Sequence, residues 1–126
     1  MPTQILIVED DIVLHPMFEF IFKKKFPNCT LSIVKSYDQA IQQIIQFNKE
    51  KKKIDIILSD LYLEGVRTGV DLLCSDSVRK TQARTFLVSS ANLLDLEESY
   101  RELLPETTFI RKPINLFKCQ AMLGLC

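Results

Sequence analysis

Residues 54–60 read I-D-I-I-L-S-D, a short apolar run that stops on a carboxylate. Such a run, with little alternation, predicts a strand covered on both faces, as in a parallel sheet, with Asp60 at its C-terminal tip. Other chemically capable side chains fall at the ends of similar runs: Glu9, Asp10 and Asp11 after Q-I-L-I-V, Ser89 and Ser90 after F-L-V, and Lys112 after F-I-R. Carboxylates gathered in one crevice repel unless a cation joins them, and an all-oxygen set with room for water suits Mg2+. Asp60 is then placed as a nucleophile able to form an acyl phosphate, with the metal holding phosphoryl oxygens. Phosphoryl transfer asks a protein mainly for positioning and charge neutralisation, which Lys112 and a serine hydroxyl would complete. Singly, each feature has a plainer reading: acidic residues and serines after strands cap helices, and a Lys-Pro pair is an ordinary loop. Their occurrence together, in order, at the ends of strands one, three, four and five argues for a site.

For these groups to meet, the runs must lie side by side. Gln4–Val8 is the first expected strand. Residues 14–26 carry Leu14, Met17 or Phe18, Ile21, Phe22 and Phe26 at helical spacing, closed by Pro27-Asn28, and Pro16 fits only in the first turn. Residues 31–35 alternate as a second strand, and Ser36 or Asp38 can cap a helix through Ala40, Ile41, Ile44, Ile45 and Phe47. Gln39, Gln42, Gln43 and Gln46 fall on its wet face. After Asp60 comes a loop with two glycines, ending at Gly69, then a third helix using Val70, Leu72 and Leu73 and reaching Val78. Residues 85–89 make a fourth strand. Residues 93–104 make a helix with Leu93, Leu96, Tyr100 and Leu103 inward and an acidic outer face, stopped by Pro105. Residues 107–111 form the fifth strand, and Pro113 opens a last helix that Leu116, Phe117, Met122 and Leu123 make more apolar than one buried face requires. Five βα units in sequence predict an α/β fold, a single doubly wound five-stranded parallel sheet of flavodoxin-like order 2-1-3-4-5. Its switch point, between the first and third strands, sets Glu9, Asp10 and Asp60 across one crevice.

Composition bounds what else the chain can do. With 126 residues, 47% hydrophobic and 25% charged, one domain spanning residues 1–126 is expected. Lys and Arg number 16, as do Asp and Glu, so no global field attracts nucleic acid or an anionic membrane. The basic runs 23–25 and 49–53 read as solvated helix ends. Apolar runs are too short to span a bilayer and no leader pattern opens the chain, so the cytosol is the expected compartment. Cys29, Cys74, Cys119 and Cys126 lack C-x-x-C spacing and read as free thiols rather than a zinc site, and His15 reads as structural.

The ordered set I-L-I-V-E-D-D, I-I-L-S-D, G-V-D-L-L, F-L-V-S-S-A and F-I-R-K-P resembles the receiver domain of two-component response regulators over essentially the whole chain. That resemblance implies Asp60 as phosphoacceptor, Glu9 and Asp10 as the acidic pair, and Lys112 as the lysine preceding proline. It further implies that Asp10 ligates Mg2+ directly and Glu9 through water, that Tyr62 offers its backbone carbonyl, and that Phe109 fills the aromatic switch position. Ser90, followed by Ala91, matches the family's hydroxyl position, with Ser89 as the alternative. Two departures stand out. Glu64 replaces the proline common in the loop after the phosphoacceptor, which is also slightly longer than usual, and Phe109 lacks the hydroxyl of the frequent tyrosine.

The expected function is therefore a phosphorylation-dependent switch. A histidine kinase or phosphotransfer protein would donate to Asp60, and the helix of residues 93–104, the fifth strand and the last helix would meet a downstream protein or a second copy. Direct nucleic-acid and membrane contacts are not expected. The chain would catalyse only its own phosphorylation and dephosphorylation. A binding module that never takes a phosphoryl group is the first competing reading, although such a module needs no clustered carboxylates. The second is a small Mg2+-dependent phosphohydrolase, which would want an acid two residues beyond the nucleophile, where Tyr62 stands. No stretch follows the last expected helix for an output domain, so the unit would be a stand-alone receiver or one cut from a longer chain.

Overall fold

The computed structural model describes residues 3–112. Five strands form one parallel sheet in the order β2-β1-β3-β4-β5. They are β1 (Gln4–Val8), β2 (Thr30–Val34), β3 (Ile56–Asp60), β4 (Arg84–Ser89) and β5 (Thr108–Arg111). Between them run α1 (His15–Lys25), α2 (Tyr37–Lys49), α3 (Gly69–Leu73), α4 (Asp76–Thr81) and α5 (Leu93–Tyr100). The sheet order and the reversal between β1 and β3 are those expected from the βα repeat. The expected last helix, with Leu116, Phe117, Met122 and Leu123, lies outside the described residues, as do Cys119 and Cys126.

Alternation along the strands divides the core into two layers. Ile5 and Ile7, Ile56 and Leu58, Phe86 and Val88, and Ile110 face the side that α1 covers with Phe18, Ile21 and Phe22. Leu6 and Val8, Ile57, Leu87 and Phe109 face the other side, covered from α2 by Ala40, Ile44 and Phe47, from α3 by Leu72 and Leu73, and from α5 by Leu96. Both faces are thus dry, which is why these strands read as nearly continuous apolar runs.

Local signals explain most element ends. Pro16 stands in the first turn of α1, after a short 3-10 turn over Ile12–Leu14 that Asp11 caps by accepting from the Val13 amide at 3.0 Å. Of the two candidate caps of α2, Ser36 serves: its Oγ accepts from the Gln39 amide at 3.2 Å while the Gln39 side chain accepts from the Lys35 amide at 2.8 Å. Thr68 and Asp71 form a reciprocal capping box on α3.

Three expectations need correction. The third helix does not run unbroken to Val78. Ser75 caps a new start, accepting from the Val78 amide at 3.3 Å, so α3 and α4 are separate short helices, and Val78 is buried from the second. The fourth expected helix ends at Tyr100 rather than at residue 104, and the turns that follow expose Leu103 and bury Leu104 in its place. Pro105 keeps the helix from resuming after those turns by disfavouring helical geometry at Leu104. Finally β3 begins at Ile56, although the Asp55 amide still donates to Gln4 O at 2.9 Å and its carboxylate accepts from the Gln4 amide at 2.9 Å.

Candidate functional site

The alternation that sorts the core also sorts the candidate functional residues. Continuing the phase of Ile5 and Ile7 gives Glu9, that of Ile56 and Leu58 gives Asp60, that of Phe86 and Val88 gives Ser90, and that of Ile110 gives Lys112. All four belong to the α1 side at the C-terminal edge of the sheet. Ser89 belongs to the opposite phase; it is buried, and its Oγ accepts from the Ala91 amide at 3.1 Å, whereas Ser90 is exposed. Each position is held by the neighbouring strand: Glu9 N donates to Val34 O (2.9 Å), Leu61 N to Val88 O (2.8 Å) and Lys112 N to Ser89 O (2.7 Å).

At the switch point the Lys112 ammonium sits between two carboxylates, 2.9 Å from Glu9 Oε1 and 3.2 Å from Asp60 Oδ2. Glu9 is fully buried, Asp60 nearly so, and Asp10 half-buried beside them. One oxygen from each of Glu9, Asp10 and Asp60 lies within 4.8 Å of the others. Burial pushes the Glu9 carboxyl up to about 7, with the nearby Asp60 carboxylate adding to the rise and Lys112 opposing it. Burial also disfavours the charge on Lys112, but the two carboxylates outweigh it and hold its pKa above the ordinary value. A cluster with this much unshared negative charge and only oxygen donors fits a hard divalent cation such as Mg2+.

The structure adds residues that the sequence reading passed over. Ser59 is buried, and its Oγ donates to the Asp60 carbonyl at 2.9 Å. Gly69 packs on that same carbonyl so closely that a Cβ there would overlap it, and its amide donates to Leu61 O at 2.7 Å. The backbone behind Asp60 is thus wedged from two sides. His15 has its ring Nε2 2.9 Å from the Glu9 carbonyl, so its structural role is to tie α1 to the end of β1. The motif G-V-D-L-L carried the signal for Gly69, because a glycine opening a helix marks close backbone approach.

The loop after Asp60 buries Leu61 and Leu63 and leaves Tyr62 69% exposed and Val66 99% exposed. It is fastened at two places: Glu64 makes a parallel bridge to Ser36, and the Arg67 guanidinium stacks 4.9 Å from the Tyr37 ring. Gly65, at φ +93°, makes the turn that only glycine adopts without strain. Phe109, in β5, is 4% exposed and points into the layer opposite Asp60.

These features define a doubly wound α/β domain with an acidic, lysine-bridged crevice at its switch point. No protein-family model and no curated protein sequence matches the chain. Solved structures do. A CheY-like response regulator receiver domain protein from Methanospirillum hungatei superposes with a TM-score of 0.77 at 18% identity, over 99% of this chain and 93% of that one. The chemotaxis response regulator CheY4 of Vibrio cholerae gives 0.78 at 15% identity, over 99% and 98%. The signal receiver domain of an HD domain-containing protein from Pseudomonas fluorescens gives 0.77 at 18% identity, over 98% and 85%. The fold is that of the CheY-like receiver domain.

Proposed function

We propose that the chain is a phosphorylation-dependent signalling switch in which Asp60 accepts a phosphoryl group from a phosphohistidine of a histidine kinase or phosphotransfer protein. The observation that carries this reading is the Lys112 ammonium seated between Glu9 and Asp60 at the edge of the sheet where ligands bind in such folds. An Asp60 carboxylate oxygen attacks phosphorus as the P–N bond to the donor imidazole breaks, and the ring nitrogen released takes its proton from solvent. Mg2+, which Glu9, Asp10, Asp60 and the Tyr62 backbone carbonyl would hold, supplies neutralisation of the phosphoryl oxygens when bound. Lys112 then turns its charge from Asp60 to a phosphoryl oxygen, and the Ser90 hydroxyl donates to another; Ser89, in the opposite phase, is the weaker candidate. Phe109 moves toward the space the hydroxyl vacates, altering the surface of α5 and β5, where a downstream protein or a second copy docks.

On this reading residues 1–126 are one receiver unit, acting in the cytoplasm without direct contact to nucleic acid or membrane. Among the described residues no helix is long and apolar enough to cross a bilayer. Incubation with acetyl phosphate and Mg2+, followed by intact-mass measurement, is expected to add one phosphoryl group to the native chain and none to Asp60→Asn. No added mass, or equal labelling of the variant, rejects the reading.

A further inference from the structure

At the end of the sheet opposite the crevice, α2 and α4 finish beside a groove of about 580 Å3. That is the size of a ligand pocket. Every charged side chain lining it is a lysine: Lys51, Lys52 and Lys53 from the turn after α2, and Lys80 from α4. Of the four, Lys52 alone has an ion-pair partner among the described residues, Glu50 at 3.6 Å on the surface. Ile44, Phe47 and Ile54 form the floor, and Ile45, 46% exposed, stands on the α2 wall. The groove thus joins apolar surface to unbalanced positive charge in a chain whose net charge is zero. Its turn also departs from what folding alone favours. The Lys52 amide donates to the Phe47 carbonyl at 2.9 Å and the Lys51 amide to the Asn48 carbonyl at 3.1 Å, the two bonds of a helix-ending turn that ordinarily takes glycine. Lys51 fills the glycine position, at φ +57°. A cation near a helix end steadies the macrodipole, but Lys49 already supplies one from the last turn of α2. That role gives no reason for a second lysine in left-handed backbone.

We propose that this groove docks an acidic peptide segment of a partner protein, which sets carboxylates against Lys51, Lys52, Lys53 and Lys80 and lays an apolar side chain between them against Ile45. The site does not depend on chemistry at Asp60. Its lysines are separate point charges, and no arginine fork lines the groove, so a row of carboxylates fits it better than a phosphate held bidentately. A membrane surface would need apolar groups that project, whereas the floor here is recessed and buried. Single-stranded nucleic acid would need exposed rings on which to stack its bases, and Phe47, the one ring in the lining, is buried. A peptide needs neither. Its carboxylates replace the water around the lysines while its apolar side chain enters the space between the helices.

The test is fluorescence polarisation of a fluorescein-labelled peptide of repeating Glu-Glu-Leu mixed with the full chain, beside peptides of repeating Glu-Glu-Ser and Lys-Lys-Leu. The first is expected to bind, and to bind less tightly as salt is raised. The second should bind more weakly and the third not at all. Lys53→Glu combined with Lys80→Glu should weaken the first by about tenfold, the effect of losing two exposed ion pairs, while thermal melts show the variant folded. Lys51→Gly is the sharper variant. It relieves the left-handed backbone and removes a cation, so its urea midpoint should rise while its affinity for the peptide falls. A helix-end role alone would move the midpoint and leave the affinity unchanged, and that result overturns the proposal. So does failure of the Glu-Glu-Leu peptide to bind, or equal binding of the Glu-Glu-Ser peptide. Tighter binding of an oligothymidylate or of phosphatidylserine vesicles, lost in the double variant, would replace the peptide by nucleic acid or membrane. Self-association in sedimentation velocity, lost in the same variant, would make a second copy the occupant and likewise overturn the proposal.

Discussion

Two regions of this molecule carry dense charge, and they treat it in opposite ways. At the C-terminal edge of the sheet Glu9, Asp60 and Lys112 are packed within ion-pair distance, with little access to water. At the other end, a groove between α2 and α4 gathers Lys51, Lys52, Lys53 and Lys80 over a floor of Ile44, Phe47 and Ile54. Those lysines are exposed, and Lys52 meets Glu50 at 3.6 Å in the open. In the crevice, each charge is defined by its neighbours and removing one changes the others. In the groove, each is defined by water.

Breaking the crevice should therefore cost far more than breaking the groove. Lys112→Ala leaves two adjacent carboxylates without their cation and is expected to lower stability by about 3 kcal/mol in EDTA, as for a broken buried pair. Urea denaturation with and without Mg2+ measures this, and a loss that Mg2+ does not partly restore would separate the lysine's role from charge neutralisation. Next comes Gly69→Ala, which forces a Cβ against the Asp60 carbonyl and should cost about 1–3 kcal/mol by the same denaturation. It should also slow labelling of Asp60, because the backbone carrying the carboxylate must shift.

The pH dependence sharpens the contrast. Glu9 has its pKa raised from 4.5 to about 7, so over that interval the folded chain keeps a proton that the unfolded chain has released. Stability in EDTA is then expected to decline as pH rises from 4.5 to 7, and Glu9→Gln should flatten that decline. Urea midpoints at a series of pH values give the slope, and an equal slope in the variant would place its origin elsewhere. The smallest effect is expected at the groove, where Lys52→Ala should change stability by less than about 0.5 kcal/mol at any salt concentration.

Much of this architecture is legible in the residues themselves. The bounds of β1 and the strand order follow from apolar runs and their spacing, because a sheet dry on both faces imposes that pattern on its inner strands, while the edge strand β2 alternates and stays partly exposed. The clustering of Glu9, Asp10 and Asp60 follows from the switch point. What could not be read was decided by single contacts. The helix expected through Val78 is interrupted because Ser75 competes for a helix start inside an otherwise continuous apolar rhythm. Gly69 meets Asp60 nine positions earlier only because the intervening loop folds back, and that return path depends on the Glu64 bridge to Ser36 and the Arg67 stack on Tyr37.

The shared phase of core and site has a further consequence. Glu9, Asp60, Ser90 and Lys112 continue the alternation of Ile7, Leu58, Val88 and Ile110. A slip of one residue in any of these strands would move a candidate site side chain to the wrong layer, but it would also turn that strand's buried residues out of register with theirs. The core therefore proofreads the site. A copy that folds has, by folding, already verified the placement of Asp60 and of the lysine beside it.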